Sequence, residues 1–421
     1  MIKQKVDERP IHKEQILNVL LIFPLSFLLF GILMSIKEQS FIEGYIKIAK
    51  SPTILITDFL ELGGLGAAFI NAAIIGLGNL YLLKRFKMRI NGLLIAAFMT
   101  LLGFSFFGKN IVNIIPLYVG GYLYAKNQRI HMRDVIVIIM FSTGLSPIIS
   151  ELMFSDIMIS PLNMVIGFGV GILIGFVIVP LSSHMLKFHD GYNLYNIGFT
   201  AGIVGTVFTS ILRALDKEVE PVRIIYESED MHIKLLLCGL FLGLIVIGLN
   251  INRTGLKDFK NIFKYVGRTV TDFTYLLGYG VTFINMGVMG LCSVGIVTVF
   301  GGVVNGPVLA AIFTVVGFSA FGKHLKNTAP VVIGVILAAS YLGLDLSSTG
   351  ILISILFSTT IAPIAGAYGP IVGILAGILH LAVVTNIGIV HGGINLYNNG
   401  FSGGLVAGFL VPIIDAFKKG E

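Results

Sequence analysis

Apolar runs succeed one another from residue 15 to residue 417 with only short polar loops between them, and that feature removes most folds. Hydrocarbon gives backbone N–H and C=O groups nothing to bond, so a chain immersed in it pairs them internally, in α-helices or a closed β-barrel. Runs of this length select helices, because about 20 apolar residues cross a bilayer core of about 30 Å, whereas barrel strands are about ten residues long and alternate in polarity. An all-α polytopic membrane protein is expected. The composition, 55% hydrophobic and 12% charged, lies far from the roughly 25% charged content of soluble domains.

The runs fall at 15–36, 59–83, 92–107, 110–125, 134–150, 162–182 and 196–214 and then, beyond an acidic loop, at 232–251, 271–300, 306–321, 327–342, 349–363, 370–388 and 396–417. Seven segments on each side of the loop divide the chain into a first membrane repeat (1–215), a connecting loop (216–231) and a second repeat (232–421). The repetition is literal. Residues 57–76 and 271–290 share ten of twenty positions without a gap, and 91–109 and 305–323 share eleven of nineteen, both at an offset of 214. A later motif, His-x-Gly-x-Asn-Leu-Tyr-Asn-x-Gly-Phe, occurs at 189–199 and 391–401. Gene duplication accounts for this series.

Loop charge sets the expected orientation, since lysine and arginine concentrate on the cytoplasmic side. Eighteen of them fall on the side of the N-terminus, at Lys3, Lys5, Arg9 and Lys13, in 84–89, at Lys126, Arg129 and Arg133, between Arg253 and Arg268, and at Lys418 and Lys419. The opposite loops hold five, Lys37, Lys47, Lys50, Lys217 and Arg223. An odd number of crossings per half satisfies this count, so the repeats are expected to be inverted, with both termini cytoplasmic in a cell-membrane protein. The pairs 92–107 with 110–125 and 306–321 with 327–342 are short for full spans. Each either crosses twice or forms a re-entrant hairpin of half-helices, leaving five crossings per half.

The net charge of +7 comes from these loops rather than from a basic domain, so no nucleic-acid partner is expected. Cys238 and Cys292 both lie in apolar runs and indicate neither a disulfide framework nor a metal motif. The first apolar run is longer than a signal-peptide core and is read as an uncleaved span.

Matched polar residues inside apolar surroundings are the candidates for function. Asn71 and Asn285 lie about a third of the way into their runs, where a bare amide is costly, and serve either interhelical bonding or solute binding. Gly-Phe-Ser-x-Phe-Gly-Lys places Ser105, Lys109, Ser319 and Lys323 at the breaks between the short segments. In a re-entrant hairpin these lysines face an anion or a carboxylate; in two full crossings they snorkel to an interface. Phe104, Phe107, Phe318 and Phe321 are expected to pack in the membrane, with an apolar constriction as the alternative. Ser142, Thr143, Ser358 and Thr359 precede Pro147 and Pro363, and matched proline breaks in two halves point to a transport site.

The Asn-Leu-Tyr-Asn motif offers Asn193, Asn196, Asn395 and Asn398 either as helix caps, with Tyr195 and Tyr397 as interfacial anchors, or as solute contacts at a helix N-terminus. His189 and His391 are read as loop histidines. The charge count places the two copies on opposite faces, as vestibule or gate elements too far apart for one centre. Asp58 and Asp272 precede matched runs and either cap helices or couple Na⁺ or H⁺. No metal is expected at His184, His189 and Asp190, because the second half has Asn386 and Gly392 at two of these positions. No cofactor fingerprint stands in a suitable context.

With these repeats in view, the chain resembles a duplicated family of bacterial integral membrane proteins known as a domain of unknown function. The resemblance spans nearly all the chain and rests on Phe-Ile-Asn, Asn-Gly, Gly-Phe-Ser-x-Phe-Gly-Lys and Asn-Leu-Tyr-Asn. It implies no activity. The Asn-Gly, short run and proline-containing run are also distantly similar to urea transporters, whose longer signature is absent, so no residue is carried over. Seven-plus-seven inverted transporters for nucleobases and anions share the segment count, an analogy of architecture only.

The leading expectation is a secondary transporter or channel for a small polar solute, anionic solutes included, with the pathway between the halves. Assembly into a homo-oligomer is compatible with the sequence. An intramembrane enzyme, which calls for one asymmetric cluster of acid, base and nucleophile, and a membrane structural protein are the alternatives.

Overall fold

The computed structural model describes residues 8, 12–39, 41–155, 162–252 and 256–418, and the apolar runs within them are helices. The first half carries α1 (Lys13–Glu38), α2 (Phe41–Lys50), α3 (Phe59–Arg85), α4 (Gly92–Phe104), α5 (Ile111–Asn127), α6 (Ile136–Ser142), α7 (Ser146–Phe154), α8 (Asn163–His189) and α9 (Asn196–Ala214). The second carries α10 (Met231–Ile251), α11 (Phe273–Leu276), α12 (Gly278–Val299), α13 (Gly306–Phe318), α14 (Leu325–Tyr341), α15 (Thr349–Phe357), α16 (Ala362–Tyr368), α17 (Pro370–Ile387) and α18 (Asn398–Lys418). Among the described residues there are no strands, only isolated bridges such as Asp58 with Phe107 and its match, Asp272 with Phe321. Lys3, Lys5, Arg9, Arg253 and Lys419 of the loop-charge count, and part of the 151–161 loop, lie outside the described residues.

Ten helical segments among the described residues are long and apolar enough to cross a membrane, so the chain is a multi-pass membrane protein. They are α1, α3, α6 with α7, α8 and α9, then α10, α12, α15 with α16, α17 and α18, five in each half. Their outward faces carry Leu29, Ile32, Leu33, Leu235, Leu242 and Val246 in the open, which suits hydrocarbon rather than water. Helix α2 is one the apolar runs did not reveal.

The short helices occupy the centre. Helices α4 and α13 have 13 residues each, about 20 Å of rise, too short for the bilayer core. Every residue of α13 and all but Leu93 of α4 are buried, so neither faces lipid. They pack on each other. A Cβ at Gly103 would meet Ala310 and Phe313, and one at Gly317 would meet Ala96 and Met99, a register that makes the two antiparallel.

Helix α4 runs back along α3, and α5 then runs forward along it. Asn71 of α3 bonds the chain at the α4–α5 break, and Asn79, two turns further on, accepts from Tyr118 of α5. The chain thus enters and leaves on one side of the break, the course of the re-entrant hairpin. The breaks themselves need glycine, because Gly108 and Gly322 have φ of 84° and 97° and a Cβ at Gly108 would strike Leu396.

Two carboxylates of the first half support the starts of the long helices at matched positions. Glu38 accepts from Leu65 N–H at 3.0 Å and Gly66 N–H at 3.1 Å beyond the kink at Gly64, and Glu8 accepts from Gly280 N–H at 2.6 Å beyond Gly278. Burial pushes the Glu8 carboxyl up, and the bonds from Gly280 and Tyr279 N–H hold it back.

Candidate functional site

The two proline-containing segments break where expected. Helix α6 gives way to a 3₁₀ turn at Thr143–Leu145 before α7, with Pro147 in the first turn of α7; α15 gives way at Ser358–Ile361 before α16, with Pro363 likewise. Proline has no N–H and suits a first turn, so each break is written into the chain. Ser142 and Ser358 donate to Ile139 and Ile355 C=O, and Thr143 and Thr359 to Met140 and Leu356 C=O, binding these hydroxyls to their own turns.

Each break faces a lysine. Lys109 and Lys323 have no exposed surface, which removes the snorkelling alternative. Asn71 Nδ2 donates to Ser105 and Lys109 C=O at 2.7 and 2.9 Å, and Asn285 repeats this with Ser319 and Lys323 at 2.7 and 2.8 Å. The amides are therefore clamps on the hairpin breaks, with their Oδ1 atoms buried and unpartnered. Ser105 and Ser319 donate to Leu101 and Val315 C=O in their own helices.

Each lysine takes a tyrosine partner from the other half. Lys109 Nζ donates to the Tyr397 hydroxyl at 2.6 Å; Lys323 Nζ donates to the Tyr195 hydroxyl and, at 2.7 Å, to Thr359 Oγ1. Aromatic faces complete the shells, with Lys109 Nζ 5.0 Å from the Phe104 centroid and 4.8 Å from that of Tyr397. Lys323 Nζ lies 5.4 Å from the Phe318 ring and 4.4 Å from the Tyr195 ring. Among the described residues no carboxylate pairs with either lysine.

This geometry corrects three expectations. Tyr195 and Tyr397 are buried, not interfacial anchors, and supply the hydroxyls that lysines buried away from water require. His189 and His391 are buried rather than loop residues, and their Nε2 atoms stand 3.1 and 2.9 Å from Asn196 and Asn398 Oδ1. Lastly, the two motifs are not far apart. Asn193 Nδ2 donates to Gly400 C=O at 3.0 Å, and a Cβ at Gly198 would lie 3.1 Å from Gly400 Cα. Gly198 with Gly202 and Gly400 with Gly404 form small-xxx-small pairs, so the first turns of α9 and α18 cross in contact.

The asparagines shape these turns. Asn193 and Asn395 Oδ1 accept from Tyr195 and Tyr397 N–H, while Asn196 and Asn398 donate to Ser182 and Val384 C=O. Leu194 N–H donates to Thr360 C=O and Leu396 N–H to Gly144 C=O, which seats each motif on the opposite half's broken segment. Thr360 also donates to Asn193; the match of Thr360 is Gly144, and Asn395 Nδ2 is left unpartnered.

Asp58 and Asp272 are caps, and caps of both halves. Asp58 accepts from Leu60, Tyr226 and Gly306 N–H at 2.9, 3.1 and 3.0 Å, so it caps the N-termini of both α3 and α13. Asp272 accepts from Thr274 N–H at 2.9 Å and from Gly92 N–H of α4 at 3.1 Å. Among the described residues no group of three or more His, Cys, Asp or Glu side chains is placed to hold a metal.

Between these features lies a cavity of about 250 Å³. Its wall contains matched pairs, Thr100 with Thr314, Phe104 with Phe318, Phe141 with Phe357, Leu194 with Leu396 and Tyr195 with Tyr397. Phe104 and Phe357 stack with ring centroids 5.7 Å apart, and Phe141 and Phe318 meet at the same distance, tilted by 34°. The expected in-membrane packing of Phe104, Phe318 and Phe321 is thus also a cavity wall. Thr100 and Thr314 escaped sequence reasoning, although a threonine repeated at the 214 offset inside an apolar 13-residue helix was a signal for them.

A family described as a protein of unknown function (DUF1576) matches residues 37–214 and again 251–416. Neither the curated proteins nor the solved structures contain a match.

Proposed function

The chain belongs to the DUF1576 family, and we propose that it is a channel or secondary transporter carrying a small polar solute through the cavity between its two halves. The observation that carries this reading is the wall of that cavity, built from the same positions of both repeats. Duplicated membrane proteins of the inverted kind hold solutes near mid-membrane at the repeat interface, on broken helices. The antiparallel contact of α4 and α13 favours inversion here, with both termini on the cytoplasmic side of the cell membrane.

An unmatched part of the wall favours alternating access. Leu93, Ser183, Leu186 and Thr269 extend the cavity toward an exposed edge, and none of their equivalents in the opposite half lines it. Leu55 N–H bonds Gly393 C=O just as the matching Thr269 N–H bonds Gly191 C=O, but the adjacent Ile56 also pairs with Val222 and Ile224 of the connecting segment. We read the side beside Arg268, which the loop charges assign to the cytoplasm, as the open mouth and the side under the connecting segment as the covered one.

The test is flux. Purified protein in liposomes is given a panel of small polar solutes, with and without Na⁺ and H⁺ gradients. Saturable uptake of one solute class is expected; no solute-dependent flux across the panel overturns the proposal.

A further inference from the structure

We propose that the solute is a small organic monoanion with an apolar body, its charged group held by Thr100 and by a lysine-backed tyrosine hydroxyl. The inference rests on the transport reading for why a solute enters, and adds its chemistry.

Three observations converge. The first is charge. Lys109 and Lys323 are fully buried, and among the described residues no acidic side chain pairs with them. The matched carboxylates Asp58 and Asp272 are spent on helix N-termini. An uncompensated ammonium in a low-dielectric interior costs several kcal/mol, which a bound anion offsets and a bound cation compounds.

The second is an unused hydroxyl. Thr100 lines the cavity and is 3% exposed, and its Oγ1 is buried without a partner, whereas its match Thr314 donates to Ala310 C=O at 2.7 Å. Thr100 stands one turn before Phe104 on α4, and the Phe104 ring lies 4.8 Å from that of Tyr397. Tyr397 accepts from Lys109, so its own O–H points either to Thr143 or into the cavity. A carboxylate oxygen competes for that proton and polarises the whole chain back to the lysine.

The third is the rest of the wall. The paired rings Phe104–Phe357 and Phe141–Phe318 offer apolar surface and few hydrogen bonds, which suits a hydrocarbon body and not a sugar or zwitterion. A volume of about 250 Å³ equals that of roughly eight waters at about 30 Å³ each. Benzoate and butyrate are probes of this size.

The full chain in lipid nanodiscs is titrated with benzoate, benzamide, benzylammonium, butyrate and butyramide, read by calorimetry and thermal shift. Each acid is expected to bind at least tenfold tighter than its amide, and benzylammonium not at all. Lys109→Met and Lys323→Met should each weaken benzoate at least tenfold while sparing benzamide. Thr100→Val keeps the side-chain volume, does not rely on a lysine variant folding, and should weaken benzoate about fivefold.

Amides binding as tightly as acids, or neither acid binding, overturns the inference, as does unchanged benzoate affinity in Thr100→Val. The two readings fail separately. Uptake of a neutral solute with none of the acids sinks the anion and keeps the transporter, while absence of flux for every solute sinks both.

Discussion

Lys109 Nζ donates to the Tyr397 hydroxyl at 2.6 Å across a sequence separation of 288 residues, and the matched pair, Lys323 with Tyr195, crosses in the other direction. Each repeat therefore lacks the tyrosine partner of its own buried lysine. Asp58 and Asp272 follow the same rule, since each caps a short helix of the opposite half. The repeats interlock through their most costly polar groups, so one half alone leaves those groups short of partners in a medium that offers none.

A double-mutant cycle measures the interlock. Tyr397→Phe should lower stability in detergent or bilayer by about 1–3 kcal/mol, because Lys109 loses the hydroxyl it donates to. Lys109→Met removes the stranded amine, so the double variant should recover part of that loss. Coupling of about 1 kcal/mol is expected, within the range for interhelical bonds in membranes. Additive losses would show that the pair does not interact.

Asp58 separates capping from coupling. As a cap with three N–H donors it should cost about 1–3 kcal/mol when changed to Ala, with Asn recovering part of that, and any gradient dependence of transport should persist in the Asn variant. A coupling carboxylate predicts the reverse, near-normal unfolding of Asp58→Asn with loss of gradient dependence. Unfolding and flux measured on the same variant decide between them.

Helix positions were legible because apolar length is a local property, and the α4–α5 and α13–α14 breaks were legible because glycine and lysine recur there. The fate of Lys109 was not. Its partner Tyr397 is remote in sequence, and nothing near Tyr397 distinguishes a lysine-holding phenol from an interfacial one. Charge counting separated the two Asn-Leu-Tyr-Asn motifs because it assigns a loop to a face and takes the following helix to start there. Gly198 and Gly400 overturn that step, since their contact brings the first turns of α9 and α18 together inside the protein.

Glycines at that crossing give a contrast with lipid-facing ones. A Cβ at Gly202 would lie 2.1 Å from the Phe401 ring and one at Gly404 2.2 Å from that of Phe199, while nothing lies within 4 Å of a Cβ at Gly239. Gly202→Ala and Gly404→Ala should each destabilise by about 1–3 kcal/mol through overpacking. Gly239→Ala, in the middle of α10, should be neutral or stabilising by up to about 1 kcal/mol. Equal midpoints for all three would mean that α9 and α18 do not cross at these glycines.

Inversion makes a sharper prediction, because equivalent loops of inverted halves lie on opposite sides of the bilayer. Asn193 and Asn395 cannot report it, being wholly buried. His131 and Asp345 can: they are 214 residues apart, both are exposed, and each lies just beyond the second arm of its hairpin, α5 or α14. With Cys238 and Cys292 replaced by alanine, single cysteines are placed at these two positions and exposed to a membrane-impermeant maleimide in intact cells. Loop charge puts Lys126, Arg129 and Arg133 beside His131 in the cytoplasm, so cysteine there should react only after permeabilisation, and cysteine at position 345 should react at once. Reaction of both in intact cells, or of neither, requires parallel repeats, and the antiparallel register of α4 on α13 would then need another origin than a two-fold axis in the membrane plane.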